Sequence, residues 1–383
     1  MTERGETPWS RVDAALVVVL LVGLIWWARL PFQPPEPVGV EALDTAFSAE
    51  RALEHLRVIA AGPHLPGTPA HKEVRQYLVE TLQSLGMETE VQSTTSLRTR
   101  NRGSRAVAVW NVLGRMAGTD PSGAILLMAH YDPVPRSSGA SDAGTGVAAI
   151  LEAVRALRQG SALKNDIVVL LSDAEELGLM GARAFVDRHR WATEISIVLN
   201  FEMRGHRGAS MMFETGPENG WAVRQWAEAD PHPVGSSVRL AVYRSMPNDT
   251  DFSPFRVRGI QGLNFGAIEG GNLYHLALDD LNHNSPETRQ HQGIQALAMA
   301  RHLGDLDLTE THAPDLAFAR VGLFGLIVHP PTWNWIGVAL SVILALTALF
   351  LGLRTGTFRL KGLAAGLGLA TVSLLTAALL GWA

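Results

Sequence analysis

The sequence predicts an α/β fold: a three-layer αβα sandwich around a mixed, mostly parallel central sheet, with transmembrane helices in addition. Three observations lead to this prediction. Short apolar runs at residues 124–129 and 167–171 are typical of buried parallel strands. Segments with helical periodicity alternate with such runs up to about residue 303, which indicates helices on both faces of a sheet. Long apolar runs near both termini are typical of membrane spans.

The composition excludes several classes of protein. The 383-residue chain is 47% hydrophobic, which is enough apolar material for one large core and for additional segments. Its formal net charge is -5 and its lysines and arginines are scattered, so nucleic acid is not an expected partner. The absence of cysteine excludes disulfides and thiolate zinc sites. Any bound metal must therefore be held by histidines and carboxylates.

An apolar run at residues 14–28 predicts an N-terminal membrane anchor. Arg11 and Arg29 bracket this run, and Trp26 and Trp27 are residue types that favour the membrane interface. No small-residue cleavage site follows, so we favour an uncleaved anchor over a cleaved signal peptide. A proline-rich stretch typical of a stiff linker comes next. We therefore assign residues 1–40 to the anchor and linker, and residues 41–308 to the main α/β domain.

Residues 309–383 form the predicted C-terminal membrane region, with two or three apolar segments. Residues 335–353 and 363–382 each reach the length of roughly 20 residues that spans a bilayer. The connector between them carries three basic residues, so we expect it to be cytoplasmic. The main domain is then expected on the extracytoplasmic side, in agreement with Arg4 and Arg11 before the N-terminal run. Two buried core helices are the alternative interpretation.

Residues 124–146 contain the strongest candidate for a functional site. The predicted strand is followed by His130 and Asp132, at the carboxyl end where open α/β sheets place their chemistry. After a turn rich in Pro, Ser and Gly, Asp142 precedes Ala-Gly-Thr-Gly and a helical pattern. Asp142 alone is consistent with a helix cap. Together with a histidine and a second carboxylate, it is a candidate metal ligand.

Three later segments carry charged or imidazole groups at the same architectural position. The predicted strand at residues 167–171 leads to Glu175 and Glu176. Adjacent residues point in different directions, so one glutamate can bind a metal while the other contacts a water molecule. A solvated first helical turn is the alternative for this pair. Glu202 ends another apolar run, and His275 lies in a loop.

These motifs resemble family 28 of the metallopeptidases, the di-zinc aminopeptidase family. The resemblance runs from about residue 46 to residue 303. It is carried by His130-x-Asp132, Gly139-Ala-Ser-Asp142-Ala-Gly-Thr-Gly146, Asp173-Ala-Glu-Glu176-x-Gly178-x-x-Gly181, Asn200-Phe-Glu202 and Tyr274-His275. Within the family, the chain is most similar to the membrane-anchored branch, which includes vacuolar membrane proteases and the endoplasmic reticulum metallopeptidase. The resemblance implies the zinc exopeptidase fold.

The resemblance also implies a centre with two Zn²⁺ ions, which activate a water molecule and polarise a carbonyl group. The five implied ligands are His130, Asp142, Glu176, Glu202 and His275. Asp142 would bridge the two ions, and the peptide bond that follows it is expected to be cis. Glu176 and His275 would complete one metal site, and His130 and Glu202 the other.

Four more residues are expected to contact these ligands or the substrate. Asp132 is expected to accept a hydrogen bond from the far ring nitrogen of His130 and so to fix its tautomer. Asp251 is expected to contact a substrate amine or to support Tyr274, with a turn and helix cap as an equal alternative. Arg204 is expected to face the carbonyl or carboxylate of the substrate, with a surface ion pair as an equal alternative.

The implied function is that of a membrane-anchored zinc aminopeptidase, which hydrolyses N-terminal residues of peptides with Glu175 as general base. The expected partners are a peptide substrate and the lipid bilayer. One alternative is a zinc transferase similar to glutaminyl cyclases, which share the fold and the ligand set. The other is a non-catalytic receptor or scaffold. The presence of all five ligands and of Glu175 favours a catalytic protein.

Overall fold

The computed structural model describes residues 11–100, 103–357 and 359–380. The chain divides into two compact units, one that ends at Val328 and one that begins at His329. The sequence analysis placed the corresponding boundary at residue 308. Phe318 packs edge-on against the buried Trp226, with ring centroids 5.6 Å apart, so the segment after residue 308 contributes to the core of the first unit.

The first unit is built around a seven-stranded mixed sheet. Its strands are β1 Glu88–Arg100, β2 Gly103–Met116, β3 Ala124–His130, β4 Asp166–Ser172, β5 Ile195–Met203, β6 Met211–Thr215 and β7 Gln261–Ala267. They lie in the order β1-β2-β4-β3-β5-β7-β6. The four middle strands are parallel, whereas β1, β2 and β6 pair in antiparallel fashion. The predicted mixed sheet is therefore confirmed.

Helices cover both faces of this sheet. These helices are α2 Ala49–Ile59, α3 Pro69–Ser84, α4 Gly144–Arg158, α5 Met180–Arg188, α6 Gly220–Ala229, α7 Ser237–Ser245, α8 Ser253–Val257 and α9 Pro286–Gly304, whereas the N-terminal helix α1 Arg11–Arg29 is mostly exposed. Alternate residues of β3 point to opposite faces, as the two-residue period of a strand requires. Ile125 and Leu127 pack in one core cluster with α4 and α9 residues, and Leu126 packs in a second cluster with α5 and α8 residues. The result is a three-layer sandwich.

The strand order positions the functional edge of the sheet. From β3 the chain passes through α4 to β4 on one side, and then through α5 to β5 on the other side of β3. The connections from neighbouring strands therefore diverge at the carboxyl ends of β3 and β5. Such a switch point opens a crevice in a parallel sheet, and it is where these folds place their chemistry.

The end of the chain is mainly helical. Two short strands, β8 Ala317–Arg320 and β9 Leu326–His329, pair with each other, and the helices α10 Asn334–Arg354 and α11 Leu360–Leu380 follow. In the part of the chain that the structure describes, one helical stretch is long and apolar enough to cross a membrane, the 24 residues Pro331–Arg354. The apolar part of α1, Ala15–Arg29, is shorter. The sequence analysis expected more spans, and Trp382 of its second C-terminal segment lies outside the described residues.

Candidate metal centre

The five predicted ligands meet at the carboxyl edge of the parallel strands. His130 is the last residue of β3, and Glu202 is the last but one of β5. Asp142 lies in the loop before α4, and Glu176 lies in the turn between β4 and α5. His275 lies in the loop after β7. Because β3, β4 and β5 are parallel neighbours, their carboxyl ends bring these distant parts of the sequence together.

The two carboxylate oxygens of Asp142 face different histidines. Its Oδ1 lies 3.2 Å from the Nε2 of His130, and its Oδ2 lies 3.3 Å from the Nε2 of His275. The Oε2 of Glu202 lies 3.5 Å from the His130 nitrogen, and the Oε1 of Glu176 lies 3.1 Å from the His275 nitrogen. The peptide bond that follows Asp142 is cis, as expected. The geometry is that of two half-sites that share one carboxylate.

The donor set fits zinc. Three groups of side chains in the described residues have nitrogen and oxygen donors within 4.8 Å of one another. These groups are His130 with Asp142 and Glu202, His130 with Glu175 and Glu176, and Asp142 with Glu176 and His275. Imidazole nitrogens and carboxylate oxygens are donors that zinc accepts in tetrahedral sites. Apart from its 3.3 Å contact with the His275 nitrogen, the buried Oδ2 of Asp142 has no hydrogen-bond partner among the described protein atoms, so a cation would complete its environment.

The charges of the cluster depend on one another. Burial lowers the pKa of His130, but Glu202 and Asp142 outweigh burial and raise this pKa well above its ordinary value. Burial also opposes the charged form of His275, yet Asp142 and Glu176 raise its pKa to about 9. Protonated histidines thus balance the buried carboxylates, and a divalent cation would supply the same counter-charge.

Glu175 lies beside the cluster in the turn after β4. Burial raises the pKa of Glu175 well above its ordinary value; the positive charge of His130 opposes this shift, and Glu202 adds to it. The preceding residue, Ala174, has a left-handed backbone with φ of 57°. A residue with a Cβ atom adopts this conformation at a cost in free energy, which is a common property of functional turns. Glu175 is thus a carboxyl group with a raised proton affinity, fixed next to the donor atoms.

Asp132 supports this turn through its side chain. Its carboxylate accepts the backbone N–H groups of Glu175 and Glu176, at 2.9 and 3.2 Å. The Nδ1 of His130 lies 3.0 Å from the backbone oxygen of Asp132 and 3.7 Å from its carboxylate. The expectation that this carboxylate binds His130 is therefore corrected. The backbone carbonyl is the acceptor for the histidine, and the carboxylate accepts the two N–H groups of the turn instead.

Asp279 supports the loop of Asp142, a role that the sequence analysis did not assign. The Asp279 carboxylate accepts the backbone N–H groups of Ser141 and Asp142, at 2.7 and 3.2 Å. Its backbone oxygen accepts the hydroxyl of Ser138 at 2.9 Å. A usable signal was an acidic pair, Asp279 and Asp280, directly after an apolar loop segment. Asp280 is half-exposed, whereas Asp279 is buried.

A second supporting pair was also missed. The Nε2 of His71, in α3, lies 2.9 Å from the Oδ1 of Asp173, and both side chains are buried. The other oxygen of Asp173 accepts the backbone N–H of Trp110 at 2.8 Å. The pair ties the turn that carries Glu175 to α3 and β2. Because the partners are 102 residues apart, the sequence pattern of either segment alone did not indicate the contact.

Tyr274 and Arg204 form a stack on the side of the centre that faces solvent. The Tyr274 ring lies on the imidazole of His275, with centroids 3.7 Å apart. The guanidinium carbon of Arg204 lies 5.2 Å from the centroid of the Tyr274 ring, within the range of a cation–π contact. His275 has a left-handed backbone with φ of 60°. The stack therefore supports a ligand that its own backbone conformation does not favour.

Asp251 is fully buried and accepts a hydrogen bond from the hydroxyl of Ser172, at the end of β4. Burial raises the pKa of Asp251 to about 7, although His130 and the Ser172 hydroxyl oppose the shift. Its neighbours Asp249 and Thr250 line the pocket beside the cluster. The structure thus brings Asp251 to the edge of the centre, while its expected contact with a substrate amine stays a prediction.

A pocket of about 490 Å³ opens beside the cluster. Asp142, Glu175 and Glu202 line it on the side of the donor atoms, and residues of α7 form another wall. The sequence analysis did not predict α7. The available signal was Ser236, which caps the helix by accepting the N–H of Arg239, followed by apolar residues four positions apart.

Comparisons with solved structures identify the fold. An aminopeptidase from Aneurinibacillus sp. strain AM-1 matches 71% of this chain and 98% of its own, with a TM-score of 0.57 and 13% identity. A glutaminyl cyclase from Porphyromonas gingivalis matches 67% of this chain and 98% of its own, with a TM-score of 0.53 and 22% identity. The chain thus has the α/β zinc exopeptidase fold.

Sequence comparisons give the family. Peptidase family M28 matches residues 111–300. Endoplasmic reticulum metallopeptidase 1 from Homo sapiens is 30% identical over 96% of this chain and 44% of its own length. The vacuolar membrane protease of Candida albicans is 29% identical over 82% of this chain and 39% of its own length. The chain belongs to peptidase family M28, and it spans less than half the length of these curated relatives.

Family membership confirms the resemblance seen in the sequence and has two direct implications. The family implies zinc, in agreement with the buried group of His, Asp and Glu side chains. It also implies peptide substrates.

Proposed function

We propose that the chain is a membrane-anchored aminopeptidase that hydrolyses the N-terminal peptide bond with two zinc ions and with Glu175 as general base. The observation that carries this proposal is the position of Glu175. Its carboxyl group lines the pocket beside the two half-sites, and burial raises its pKa. A group with a pKa moved towards neutrality is suited to accept a proton and to give it away again.

Each half-site would hold one ion. His130 and Glu202 would bind the first, Glu176 and His275 would bind the second, and Asp142 would bind both. When bound, zinc would supply the Lewis acidity that activates a water molecule and polarises the scissile carbonyl. The two histidines bind metal in their neutral form, so metal binding would release the protons that they hold next to the carboxylates.

The protein side chains would move the protons. Glu175 would take a proton from the attacking water and deliver it to the nitrogen of the departing peptide, so that the carboxyl group returns to its starting state. The hydrogen bonds from the Glu175 and Glu176 backbone to Asp132 would keep the base at a constant distance from the reaction. A carboxylate held in this way loses little entropy when the substrate binds.

The charge of the pocket supports an aminopeptidase. Glu175 and Asp249, which are not among the proposed metal ligands, line it. A protonated or metal-bound amino terminus complements carboxylates, whereas a free carboxylate next to them would be repelled. The substrate would therefore enter with its amino end towards the cluster.

The test compares the wild type with Glu175→Gln, using aminoacyl amides as substrates and zinc content as a second measurement. We expect the variant to lose about 10²- to 10⁴-fold in kcat, the usual contribution of a general base, and to retain its zinc. Glu54→Gln, at an exposed position in α2, is the matched control and should have wild-type activity. A wild type that binds zinc, hydrolyses no amide and behaves like Glu175→Gln would favour a non-catalytic scaffold, whereas equal measurable activities would contradict the role of Glu175 as general base.

The likeness to glutaminyl cyclases supports a second candidate, a zinc transferase that cyclises N-terminal glutamine. An assay of the same protein preparation with a glutaminyl peptide distinguishes a peptidase from a cyclase. A peptidase releases a free amino acid from a glutaminyl peptide, whereas a cyclase releases ammonia and leaves pyroglutamate on the peptide.

A further inference from the structure

The pocket beside the metal centre is larger than one side chain requires. Its volume of about 490 Å³ lies in the range that binds small organic ligands. The wall formed by α7 presents Val238 and Val242, which are four positions apart and therefore lie on one face of the helix, and Met246 follows directly after the helix. Ile268 lines the pocket as well, and all four side chains are exposed. Apolar side chains open to solvent on a pocket wall indicate an apolar ligand.

Arg239 is the exception on this wall. The pocket is lined by two cationic side chains, Arg204 and Arg239, among the residues that the structure describes. The guanidinium carbon of Arg239 lies 4.7 Å from the centroid of the Phe32 ring, and its Nη1 contacts the sulfur of Met211. Burial lowers the pKa of Arg239, and no carboxylate counteracts this effect. The cation is thus half-buried among apolar groups.

A comparison with Arg256 shows what is unusual about Arg239. Arg256 is also half-buried, and its Nε lies 2.9 Å from the buried carboxylate of Glu214. A partly desolvated guanidinium is stabilised by such a partner, because carboxylates match its planar array of donors. Within the described residues, the ion pairs found do not include one for Arg239. A ligand with a carboxylate would supply the missing partner.

We propose that Arg239 binds a carboxylate that the peptide carries within two or three residues of its amino end. The carboxylate is either the C terminus of a short peptide or an acidic side chain. The substrate class is then a peptide with an apolar N-terminal residue, whose amino end lies at the metal centre and whose carboxylate lies at α7. This inference rests on the proposed function, because it assumes that the amino end of the peptide occupies the centre.

Binding to the zinc-loaded full-length chain carrying Glu175→Gln tests the proposal without turnover. Calorimetry would measure the Kd of leucyl-leucine, leucyl-leucine amide and leucyl-glutamic acid α-amide, in which only the side chain is acidic. We expect leucyl-leucine to bind about tenfold tighter than its amide, as a charge-assisted hydrogen-bonded pair provides. The third peptide identifies the source of the carboxylate: a Kd equal to that of leucyl-leucine means that an acidic side chain also reaches Arg239.

Arg239→Met retains the packing on Phe32 and removes the charge. It should abolish the difference in Kd between peptides with and without a carboxylate, and Arg239→Lys should restore part of it. Arg244→Met is the matched control. Arg244 lies on the same helix and donates a hydrogen bond to the backbone oxygen of Thr215, so its loss should leave the difference intact.

Two outcomes would overturn the inference: equal Kd values for the acid and the amide in the starting protein, or a difference that persists in Arg239→Met. Its failure is separable from failure of the proposed function. Suppose that the wild type hydrolyses leucyl-leucine and its amide, and that Arg239→Met leaves the ratio of the two kcat/KM values unchanged. Only the inference is then wrong. If the wild type hydrolyses neither peptide, while the binding preference depends on Arg239, then the peptidase proposal is wrong and the carboxylate site stands.

Discussion

Asp279 is the residue on which the position of the shared carboxylate depends most directly. It accepts two consecutive backbone N–H groups, those of Ser141 and Asp142, and both are buried. An amide side chain at this position presents an NH₂ group to one of these donors. One backbone N–H is then left without an acceptor, and the loop must move to reach water.

We therefore expect Asp279→Asn to weaken zinc binding by about 10- to 100-fold, the range found for residues that orient metal ligands. Competition with a chelator of known affinity measures the effect. Asp280→Asn is the control: Asp280 is half-exposed and pairs with His283 at 2.8 Å, so this variant should bind zinc like the wild type. Equal zinc affinities for the two variants would contradict the role given to Asp279.

His291 makes the free energy of unfolding depend on pH, and this effect does not involve the metal. Its Nδ1 accepts the N–H of Ser210 at 3.1 Å, and its Nε2 lies 2.9 Å from the backbone oxygen of His232. A neutral imidazole satisfies both contacts, whereas protonation removes the acceptor. Burial lowers the pKa of His291 below 6.5; Asp230 opposes this shift, and Arg320 is among the charges that favour the neutral form.

Proton linkage gives the direction in which the stability changes with pH. Below pH 6.5 the unfolded chain binds a proton at this position more readily than the folded chain does, so the stabilisation that His291 contributes falls as the pH falls. His130, His275 and Asp251, whose pKa values are raised, act in the opposite direction over this range, so the prediction concerns the difference between variants. From pH 7.5 to pH 5.5 we expect the Tm of the metal-free His291→Gln variant in detergent to fall less, or to rise more, than that of the wild type. His283→Gln, at an exposed position, should behave like the wild type. An identical pH dependence in wild type and His291→Gln would contradict the prediction.

At the scale of elements, β5 and β7 are joined by a buried ladder of polar side chains that ends at Glu202, a proposed metal ligand. Asn200 donates to the Oε1 of Glu202 at 3.4 Å and to the Oδ1 of Asn264 at 3.0 Å. Asn264 in turn donates to the Oε2 of Glu214 at 3.1 Å, and Glu214 pairs with Arg256. A connected network of this kind restricts the orientations of its members.

Asn264→Leu interrupts this ladder with a side chain of similar size. We expect a loss of about 1–3 kcal/mol in the free energy of unfolding, because Asn200 and Glu214 lose a buried partner. We also expect weaker zinc binding. Asn200, which donates a hydrogen bond to Glu202, loses its partner Asn264 and no longer fixes the orientation of Glu202. Asn165→Leu is the control: Asn165 is buried and donates to the backbone oxygens of Leu303 and Leu306, so it should lose stability but not zinc affinity. Loss of stability alone in Asn264→Leu would show that the ladder is only structural.

The elements differ in how far the sequence predicted them, and the reason is physical. The strands β3, β4 and β5 are buried on both faces, so each appears in the sequence as a mainly apolar run. Residues of the site lie at or just after the carboxyl ends of these runs. The helix α7 has one buried residue, Leu240, and its other apolar side chains face a pocket. Its pattern was too weak to predict, although it forms the wall that holds Arg239.

The same limit applies to the residues of the site. The convergence of the five proposed ligands and Glu175 was predictable because these residues occur in short motifs close to the ends of strands. Asp279, His71 and Asn264 act through partners that are far away in the sequence. Such long-range contacts cannot be predicted from a short motif. The error on Asp132 has a similar origin: a spacing of two residues from His130 permits a contact through the side chain or through the backbone, and only the fold decides.

For the whole molecule, we propose that the helix Pro331–Arg354 anchors the chain in a membrane with residues 40–310 on the extracytoplasmic side. The test uses sealed vesicles whose cytoplasmic face is outward. Protease added outside should leave residues 40–310 intact until detergent opens the vesicles. Carbonate at high pH should leave the chain in the membrane fraction. Digestion of residues 40–310 in intact vesicles would contradict the orientation.

The two histidines of the centre differ strongly in their access to solvent. The side chain of His130 is 1% exposed, whereas that of His275 is 38% exposed and lies under the Tyr274 ring. The two ions would therefore exchange at unequal rates. The ion at His275 would leave first under dialysis and would be the first to be replaced by cobalt or manganese, so a preparation with a single equivalent of zinc would be an ordered intermediate and not a random mixture.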